Sequence, residues 1–229
     1  IIKDAQKRAA ELYHSEETYF LINGSTAGIL SAVSAVAGKA GSLIIARNCH
    51  KAVYHAAFLN RFKLYYIYPE TIEEYGISGS VQPENLKNLI DNILFSEGND
   101  KKKPSEVIAG IVVTSPTYEG IAPDINRLVK VAHSYNLPII VDQAHGAHFG
   151  IHPAYPESAV WEGADLVIHS IHKTLPAPTQ TALIHRNGVL TDREQLKKYL
   201  RIYQSSSPSY LLMAGIDEAI RIVSQEGYD

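Results

Sequence analysis

The sequence predicts an α/β protein built on a mostly parallel sheet of seven strands with helices on both faces. Three observations support this prediction. Helical and strand-like hydrophobic patterns alternate along almost the whole chain. Several strand-like segments are nearly continuous apolar runs, as expected where both faces of a sheet are covered. The chain has 229 residues, of which 45% are hydrophobic and 20% charged, which is enough to build one sizeable core.

The first half of the chain repeats a strand followed by a helix. Apolar residues at helical spacing (Ile2, Ala5, Ala9 and Leu12) predict an N-terminal helix, and the β-rich run "TYFLI" follows it. The small-residue segment "STAGILSAVSAVA" predicts the next helix. The cycle recurs as "SLIIA" with "HKAVYHAAFLNRF", and as "LYYIY" with a helix that opens near Pro83. Each such crossover implies parallel strands.

The second half continues the same alternation. "VIAGIVVT" precedes the helical segment "PDINRLVKVAHSY", and "LPIIVD" and "ADLVIH" are two further apolar strands. "TALIH" supplies a seventh strand before the closing helical stretches. The polar run "SEGNDKKKPSE" indicates a loop that is too short to link two domains, so we expect residues 1–229 to form one domain.

Composition and charge argue for a small-molecule partner. The net charge is −3 and the longest block of like charge is the "KKK" of residues 101–103, so we expect neither a nucleic-acid-binding surface nor a membrane-surface patch. No apolar run approaches the roughly 20 residues of a membrane span. The single cysteine, Cys49, excludes an internal disulfide framework and suits a reducing compartment, so we expect a cytoplasmic protein.

Polar residues follow five of the apolar strands, at the points where the strands end. In open α/β sheets, ligands bind at the carboxyl ends of the strands, so these residues are the candidates for a site. They are residues 23–26 after "YFLI", 47–50 after "SLIIA", 115–118 after "IVVT", 142–145 after "PIIV" and 169–173 after "ADLVI".

Gly24, Ser25 and Thr26 lead a predicted helix. Free backbone N–H groups and the positive end of the helix dipole make such a start an anion site, and the two hydroxyls add donors that suit a phosphate. The alternative is that Ser25 or Thr26 only caps the helix, since both residue types are favoured caps.

Asp142 and Lys173 are charged residues next to apolar segments. Asp142 ends an apolar strand, so its carboxylate should be partly desolvated and should need a cationic or hydrogen-bonding partner, unless it only caps the next turn. Lys173 lies between "ADLVIHSIH" and "TLPAPTQTALI" and has no amphipathic element to sit on, so we expect it to be enclosed rather than solvated. An apolar pocket or neighbouring cations favour the neutral lysine amine, which condenses with a carbonyl.

These three features together are what pyridoxal 5′-phosphate requires of a protein. The helix start would bind the phosphate, Asp142 would pair with the ring nitrogen, and the amine of Lys173 would form a Schiff base with the aldehyde. With Asp142 keeping that nitrogen protonated, the ring accepts the electron pair that is released when a bond at the substrate α-carbon breaks.

Six segments of the chain carry a resemblance to a known family. They are "NGSTAGIL", "ARNCHKAVYHA", "TSPTYEGIAPDI", "VDQAHGAHFG", "HSIHKTLPAPTQTA" and "SSSPSYLLMAGID". In this order they resemble the Orn/Lys/Arg decarboxylases, and more narrowly the shorter bacterial members of that family. The resemblance implies a transferase-like fold of pyridoxal-phosphate fold type I. It also implies decarboxylation of a basic amino acid (arginine, lysine or ornithine) to the corresponding amine.

The resemblance further implies roles for individual residues. Ser25, Thr26, Ser170 and His172 would bind the cofactor phosphate, and His50 would stack on the pyridine ring and fix its orientation. The full set of expected cofactor contacts is Gly24, Ser25, Thr26, His50, Asp142, Ala144, His145, Ser170, His172 and Lys173. Of these, the expected catalytic residues are Lys173, His50, Asp142 and His172.

Some roles stay open at the level of sequence. Either His172 or Lys173 could return a proton to the α-carbon after carbon dioxide leaves. His50 could instead cap the helix that follows it. Cys49 is expected to be a buried cysteine rather than a nucleophile. Ile29 stands where many relatives carry a polar residue, which is a departure close to the phosphate site.

The residue that selects among the three substrates is not identified by the sequence. Glu119 and Asp124 lie near a strand end but suit an ordinary surface role, and Tyr118 fits either role.

Two other classes of function remain as alternatives. Aminotransferases, desulfurases and aldolases use the same lysine and aspartate, and a non-catalytic domain could retain the same fold. A metal-dependent hydrolase is a weaker alternative. "DQAHGAHFGIH" and "HSIH" are rich in histidine, but no HExxH or paired-cysteine frame is present, so we expect no metal site.

The extent of the resemblance predicts the domain content. It begins inside the family's large domain and stops at "VSQEGYD", so we expect residues 1–229 to be the cofactor-binding large domain without the family's N-terminal segment and C-terminal small domain. Such a domain alone should bind the cofactor weakly and turn over poorly. Ser205–Ser207 fall where family members offer hydroxyls to the cofactor phosphate of a neighbouring subunit, which implies a homodimer or a higher homo-oligomer.

Overall fold

A central sheet of seven strands organises the chain. The computed structural model describes residues 1–38, 40–96 and 101–226. The strands within these ranges are β1 Glu17–Leu21, β2 Ser42–Ala46, β3 Lys63–Ile67, β4 Thr71–Ile72, β5 Ile77–Ser78, β6 Ile108–Thr114, β7 Ile139–Asp142, β8 Leu166–His169 and β9 Ala182–Arg186. The sheet has the order β1-β9-β8-β7-β6-β2-β3, and β4 and β5 form a separate hairpin.

Helices cover both faces of this sheet. They are α1 Ile2–Tyr13, α2 Gly24–Val36, α3 Lys51–Leu59, α4 Pro83–Ser96, α5 Pro104–Val107, α6 Ile125–Ser134, α7 Ile171–Thr174, α8 Arg193–Tyr203 and α9 Tyr210–Glu226. Helices α2, α3 and α8 share one apolar cluster with the sheet, and α4 and α6 share another. A third cluster joins α1 and α9 to β1 and β9. The predicted α/β class and the seven strands are therefore confirmed.

Six strands of the sheet run in one direction and β9 runs against them. β2, β3, β6, β7 and β8 pair in parallel, whereas β9 pairs antiparallel with both β8 and β1. The segment between β8 and β9 contains only the four-residue helix α7, which does not carry the chain back across the sheet as a long crossover helix does. The sheet is thus mostly parallel, as predicted.

The strand alternation explains the two cores. Alternate residues of β2, β6 and β7 belong to opposite apolar clusters, because successive side chains of a strand point to opposite faces. The cluster with α2 contains Leu43, Ile45, Val112 and Ile140, and the cluster with α4 and α6 contains Ile44, Ile111, Val113, Ile139 and Val141. By the same alternation, the last residues of β6 and β7 face α2.

Helix α2 lies unusually close to the sheet where it starts. A Cβ atom on Gly28 would lie 2.6 Å from Cδ1 of Leu21 and 3.2 Å from Ile168, so glycine is what permits this approach. The helix cap is Asn23, so the alternative that Ser25 or Thr26 serves as the N-cap is wrong. Both residues lie in the first turn instead.

Other element boundaries differ from the sequence patterns in detail. Residues 104–107 form the short helix α5, so the strand predicted at "VIAGIVVT" begins one residue later, at Ile108. Residues 97–100 of the predicted "SEGNDKKKPSE" loop lie outside the described residues. Within the described ranges, no helix is both long and apolar enough to cross a membrane.

Candidate functional site

One cavity of about 310 Å³ lies at the carboxyl ends of the parallel strands. The strand order of the sheet reverses between β2 and β6, and ligand sites in open α/β sheets form at such a point. All ten residues predicted to contact a cofactor are in its walls: Gly24, Ser25, Thr26, His50, Asp142, Ala144, His145, Ser170, His172 and Lys173. The structure therefore brings the whole predicted set together, while the role of each residue stays a prediction.

The start of α2 forms one end of the cavity. Gly24 has a φ of +74°, and its N–H donates to the carbonyl of Gln180 at 2.9 Å, which fixes the turn into the helix. The hydroxyl of the buried Ser170 donates to that of Ser25 at 2.7 Å, so the end of β8 is joined to the first turn of α2. Thr26 is exposed at the rim. Hydroxyls at the positive end of a thirteen-residue helix suit an anion such as a phosphate.

Asp142 lies at the floor of the cavity as an almost fully buried acid. Its side chain accepts a hydrogen bond from the backbone N–H of Ala144 at 3.2 Å. Burial raises the pKa of the Asp142 carboxyl to about 6, while the Ala144 N–H and the charge of Lys173 act to lower it. The predicted desolvation is present. The ionised carboxylate is only partly compensated, which makes it a good partner for a cation placed in the cavity.

Lys173 differs from its predicted environment. We expected an enclosed lysine, but the side chain is exposed, because the short helix α7 holds it at the rim rather than inside the core. Its Nζ lies 3.0 Å from Nε2 of His145. An ammonium group has no acceptor, so Nζ donates and Nε2 accepts. Desolvation, followed by the charge of Lys173, lowers the pKa of His145, which favours the neutral ring that this contact requires.

His50 caps α3 and also lines the cavity. Its Nδ1 accepts a hydrogen bond from the N–H of Ala52 at 3.2 Å, so the capping alternative is correct for this nitrogen. Partial desolvation and then the nearby Lys173 lower the pKa of His50. A cap held by Nδ1 fixes the ring at the cavity wall, and stacking on a cofactor ring stays a prediction.

His172 is tied to the turn before β9. Its Nδ1 lies 2.9 Å from the carbonyl oxygen of Thr181. A carbonyl can only accept, so Nδ1 carries a proton and Nε2 is the nitrogen that remains for other contacts. This leaves both His172 and Lys173 as candidates for proton transfer.

Four further residues line the cavity that the set of expected contacts did not include. They are Ile29, Asn48, Thr114 and Tyr118. Thr114 is the register partner of Asp142 on the neighbouring strand, and its buried hydroxyl has no hydrogen-bond partner among the described residues. Strand alternation predicts that Thr114 faces the site, because it lies two residues after the core residue Val112 and so points to the same face of the sheet. Ile29 is 2% exposed and belongs to the core. The isoleucine at this position, where many relatives are expected to carry a polar residue, therefore places an apolar wall beside the start of α2.

Tyr118 stands at the mouth of the cavity. Its side chain is 87% exposed, and its ring meets the ring of His145 edge-on with the centroids 5.7 Å apart. The turn that carries it is fixed by Thr117, whose N–H donates to the carbonyl of Ile121 at 2.8 Å and whose hydroxyl accepts from the Ile121 N–H at 3.2 Å. The backbone at Tyr118 is therefore held in place, although the side chain is exposed.

The remaining candidate residues lie away from the cavity. Asp124 caps α6 by accepting from the N–H of Arg127 at 3.0 Å, and Glu119 is exposed, so both have surface roles here. Burial raises the pKa of Cys49 to about 12, as expected for a buried cysteine. Ser205–Ser207 are exposed and are not among the described residues that line the site. Across the described ranges, no three or more His, Cys, Asp or Glu residues are grouped to hold a metal ion.

A buried hydrogen-bond network lies behind the site. Gln143 follows Asp142 and accepts from the N–H of Ala159 at 3.1 Å, which identifies its side-chain oxygen. The same oxygen accepts from Nε2 of His169 at 2.8 Å, and Nδ1 of His169 accepts from Nε2 of His185 at 3.1 Å. Burial lowers the pKa of both histidines, that of His185 to about 3, so the network is neutral.

Comparisons with known proteins identify relatives of this chain. The family model described as "Orn/Lys/Arg decarboxylase, major domain" matches residues 1–228. The uncharacterized protein YaaO of Bacillus subtilis (strain 168) is 38% identical over 96% of this chain and 43% of its own length. An arginine decarboxylase from the same organism is 34% identical over 99% of this chain and 44% of its own. The solved lysine decarboxylase A of Pseudomonas aeruginosa superposes with a TM-score of 0.82 at 23% identity, covering 97% of this chain and 31% of that one. The chain thus spans less than half the length of the curated relatives that it matches.

Proposed function

Because the chain belongs to the Orn/Lys/Arg decarboxylase family, we propose that it is the cofactor-binding large domain of a pyridoxal 5′-phosphate-dependent enzyme that decarboxylates a basic amino acid. One observation carries the proposal: Lys173, Asp142 and the start of α2 line the same cavity. An amine, a carboxylate and an anion site are the three groups that this cofactor needs from a protein.

The residues present fit the cofactor on physical grounds. Asp142 is a buried acid with a raised pKa and one backbone donor, so a protonated ring nitrogen would supply the compensating charge it lacks. Lys173 is exposed at the rim, where its amine can reach an aldehyde. The start of α2 offers hydroxyls and free N–H groups for a phosphate.

Each residue then has a defined task in the reaction. When bound, pyridoxal phosphate supplies an aldehyde that condenses with amines and a protonated ring that accepts an electron pair. The amine of Lys173 would hold the aldehyde, and Asp142 would keep the proton on the ring nitrogen. Gly24, Ser25 and Thr26, with Ser170 and His172, would hold the phosphate.

Two further tasks are the orientation of the cofactor ring, proposed for His50, and proton transfer, proposed for either His172 or Lys173. His50, fixed by its cap on α3, would hold the cofactor ring in one orientation at the cavity wall. Either His172 or Lys173 would supply the proton that the α-carbon takes up, since both line the cavity.

The substrates proposed are arginine, lysine and ornithine, the names that the relatives carry. Their distal groups are cationic. Asp142 is the one carboxylate among the described residues that line the cavity, and its proposed partner is the ring nitrogen. A carboxylate that pairs with the distal cation would therefore have to come from outside this set of residues.

The relatives are more than twice as long as this chain, so the proposed activity belongs to a protein that carries further parts besides this domain. Alone, the domain is expected to bind the cofactor weakly and to turn over poorly. A homodimer is part of the proposal. Residues 205–207 are exposed, as a contact with a neighbouring subunit requires, and the Ser205 hydroxyl also donates to the Ser207 carbonyl at 3.2 Å.

The experiment that tests the proposal compares the full-length protein with its Lys173→Ala variant. We expect the wild-type protein mixed with pyridoxal 5′-phosphate to show the absorption band of a lysine-bound cofactor, and the variant to lack it. The wild-type protein should release an amine and carbon dioxide from at least one of arginine, lysine and ornithine. Lys130→Ala is the matched control, because Lys130 is an exposed lysine on α6, a helix of the opposite face.

Two outcomes would contradict the proposal. An unchanged absorption band in the Lys173→Ala variant would show that another group holds the cofactor. Release of a keto acid in place of an amine would favour an aminotransferase that uses the same lysine and aspartate.

A further inference from the structure

We infer that Tyr118 is a specificity-determining residue, whose ring binds the distal cationic group of the substrate. The inference deepens the proposed function and rests on it. It begins from the position of the ring, which lines the mouth of the cavity and is 87% exposed.

The contacts connect Tyr118 to the reacting amine through one residue. The Tyr118 ring meets the edge of His145, and His145 lies 3.0 Å from Nζ of Lys173. A substrate amine must come close to this lysine, so the substrate enters beside His145. The floor of the cavity is closed by Asp142 and Ile29, both almost fully buried. The substrate side chain therefore points outward, towards Tyr118.

The chemistry of the mouth favours an aromatic contact. The only carboxylate among the described lining residues is Asp142, at the floor. An aromatic face attracts an ammonium or a guanidinium group electrostatically, and its apolar surface also suits the methylene chain before that group. Tyr118 offers both to a long basic side chain.

The turn that carries Tyr118 has a fixed backbone. Thr117 is 3% exposed and makes two hydrogen bonds with Ile121, and the Gly120 N–H donates to the Thr117 carbonyl at 3.0 Å. Gly120 has a φ of +93°, a conformation that favours glycine. Because the backbone of this turn is already fixed, binding does not have to order the loop that carries the ring, and that part of the entropy cost is avoided.

The test separates recognition of the cationic group of the substrate from recognition of its methylene chain. In the full-length protein loaded with pyridoxal 5′-phosphate, we would measure the KM of whichever basic amino acid is turned over. We would also measure the inhibition constant of norleucine, whose side chain is linear and uncharged. For Tyr118→Leu we expect the KM to rise about threefold to tenfold, with kcat and the norleucine constant changed by less than about twofold. Tyr118→Phe keeps the aromatic face and should behave as the wild type.

Tyr75→Leu is the matched control, since Tyr75 is 67% exposed and lies in the turn between β4 and β5, away from the cavity. An unchanged KM in Tyr118→Leu would overturn the inference. Equal loss of affinity for norleucine and for the basic amino acid would also overturn it, because the ring would then act only as apolar surface. If no basic amino acid is turned over by the wild-type protein, the proposed function itself fails and this inference falls with it.

Discussion

Replacing Asp142 with asparagine should stabilise the cofactor-free protein at neutral pH, although it removes a residue proposed to be essential for cofactor binding. Asp142 is 3% exposed, and burial raises the pKa of its carboxyl from the ordinary 3.8 to about 6. At about 1.4 kcal/mol for each pH unit between these values, the ionised carboxylate lowers the free energy of unfolding by about 3 kcal/mol. Asparagine has almost the same shape and carries no charge.

The pH dependence gives the prediction its sign. A raised pKa means that the folded state binds the proton of Asp142 more tightly than the unfolded state does. The stability from this group is therefore present below about pH 3.8 and is lost as the pH rises through about 6. The difference in unfolding free energy between Asp142→Asn and the wild type should grow by about 3 kcal/mol from acid to neutral pH. The asparagine amide adds an offset for its own unpaired N–H, but that offset does not vary with pH.

The assay is denaturant unfolding of the cofactor-free proteins at several pH values between about 4 and 8. Asp124→Asn is the matched control, because Asp124 is an exposed helix cap and asparagine caps equally well. The control should show no such growth of the difference with pH. A difference between Asp142→Asn and the wild type that is the same at about pH 4 and at about pH 7.5 would refute the reasoning from burial. The same variant should bind pyridoxal 5′-phosphate more weakly, so stability and affinity should change in opposite directions.

Two further predictions concern the buried histidines and the oligomeric state. Burial lowers the pKa of His185 to about 3, so the stability it contributes is present above its ordinary pKa of 6.5 and is lost as the pH falls. His185→Gln should therefore reduce the slope of unfolding free energy against pH by up to about 1.4 kcal/mol per pH unit between about pH 6 and pH 4. His55→Gln, a substitution of an exposed histidine, is the control and should leave the slope unchanged. Equal slopes in the wild type and both variants would contradict the prediction. The full-length protein should have at least twice the mass of one chain by light scattering. Alanine at Ser205, Ser206 and Ser207 should weaken cofactor binding without changing that mass. A monomeric protein that binds the cofactor normally would contradict the proposed role of these serines.

The sequence predicts the sheet well because strand and core positions are local patterns. The apolar runs give the strands, and their alternation follows from the geometry of the strand itself. The same logic predicts the site, because the carboxyl ends of parallel strands meet at one edge. Polar residues that directly follow these strands, such as Asp142 and Ser170, are therefore brought together by the topology.

The sequence does not predict features that depend on how neighbouring segments fold back. The exposure of Lys173 depends on the short helix α7, which turns the side chain to the rim although the flanking residues are apolar. The antiparallel direction of β9 depends on the same segment. Tyr118 belongs to the predicted strand-end residues, but its position at the mouth depends on a turn fixed by Thr117 and Ile121. In each case the deciding contacts are tertiary.

Two adjacent residues at the end of β7, Asp142 and Gln143, differ in charge and in how fully their side chains are hydrogen-bonded. Gln143 points away from the cavity and is neutral, and its oxygen accepts hydrogen bonds from His169, Ser158 and the Ala159 N–H. Asp142 faces the cavity, where its carboxylate accepts one bond from the Ala144 N–H and has a raised pKa. A buried acid that is poorly compensated destabilises the empty protein, and a cation in the cavity would recover that loss. The ionised Asp142 lowers the free energy of unfolding of the cofactor-free protein, and this loss is recovered as binding free energy when a protonated ring nitrogen pairs with the carboxylate. A substitution at this position is therefore expected to change stability and cofactor affinity in opposite directions.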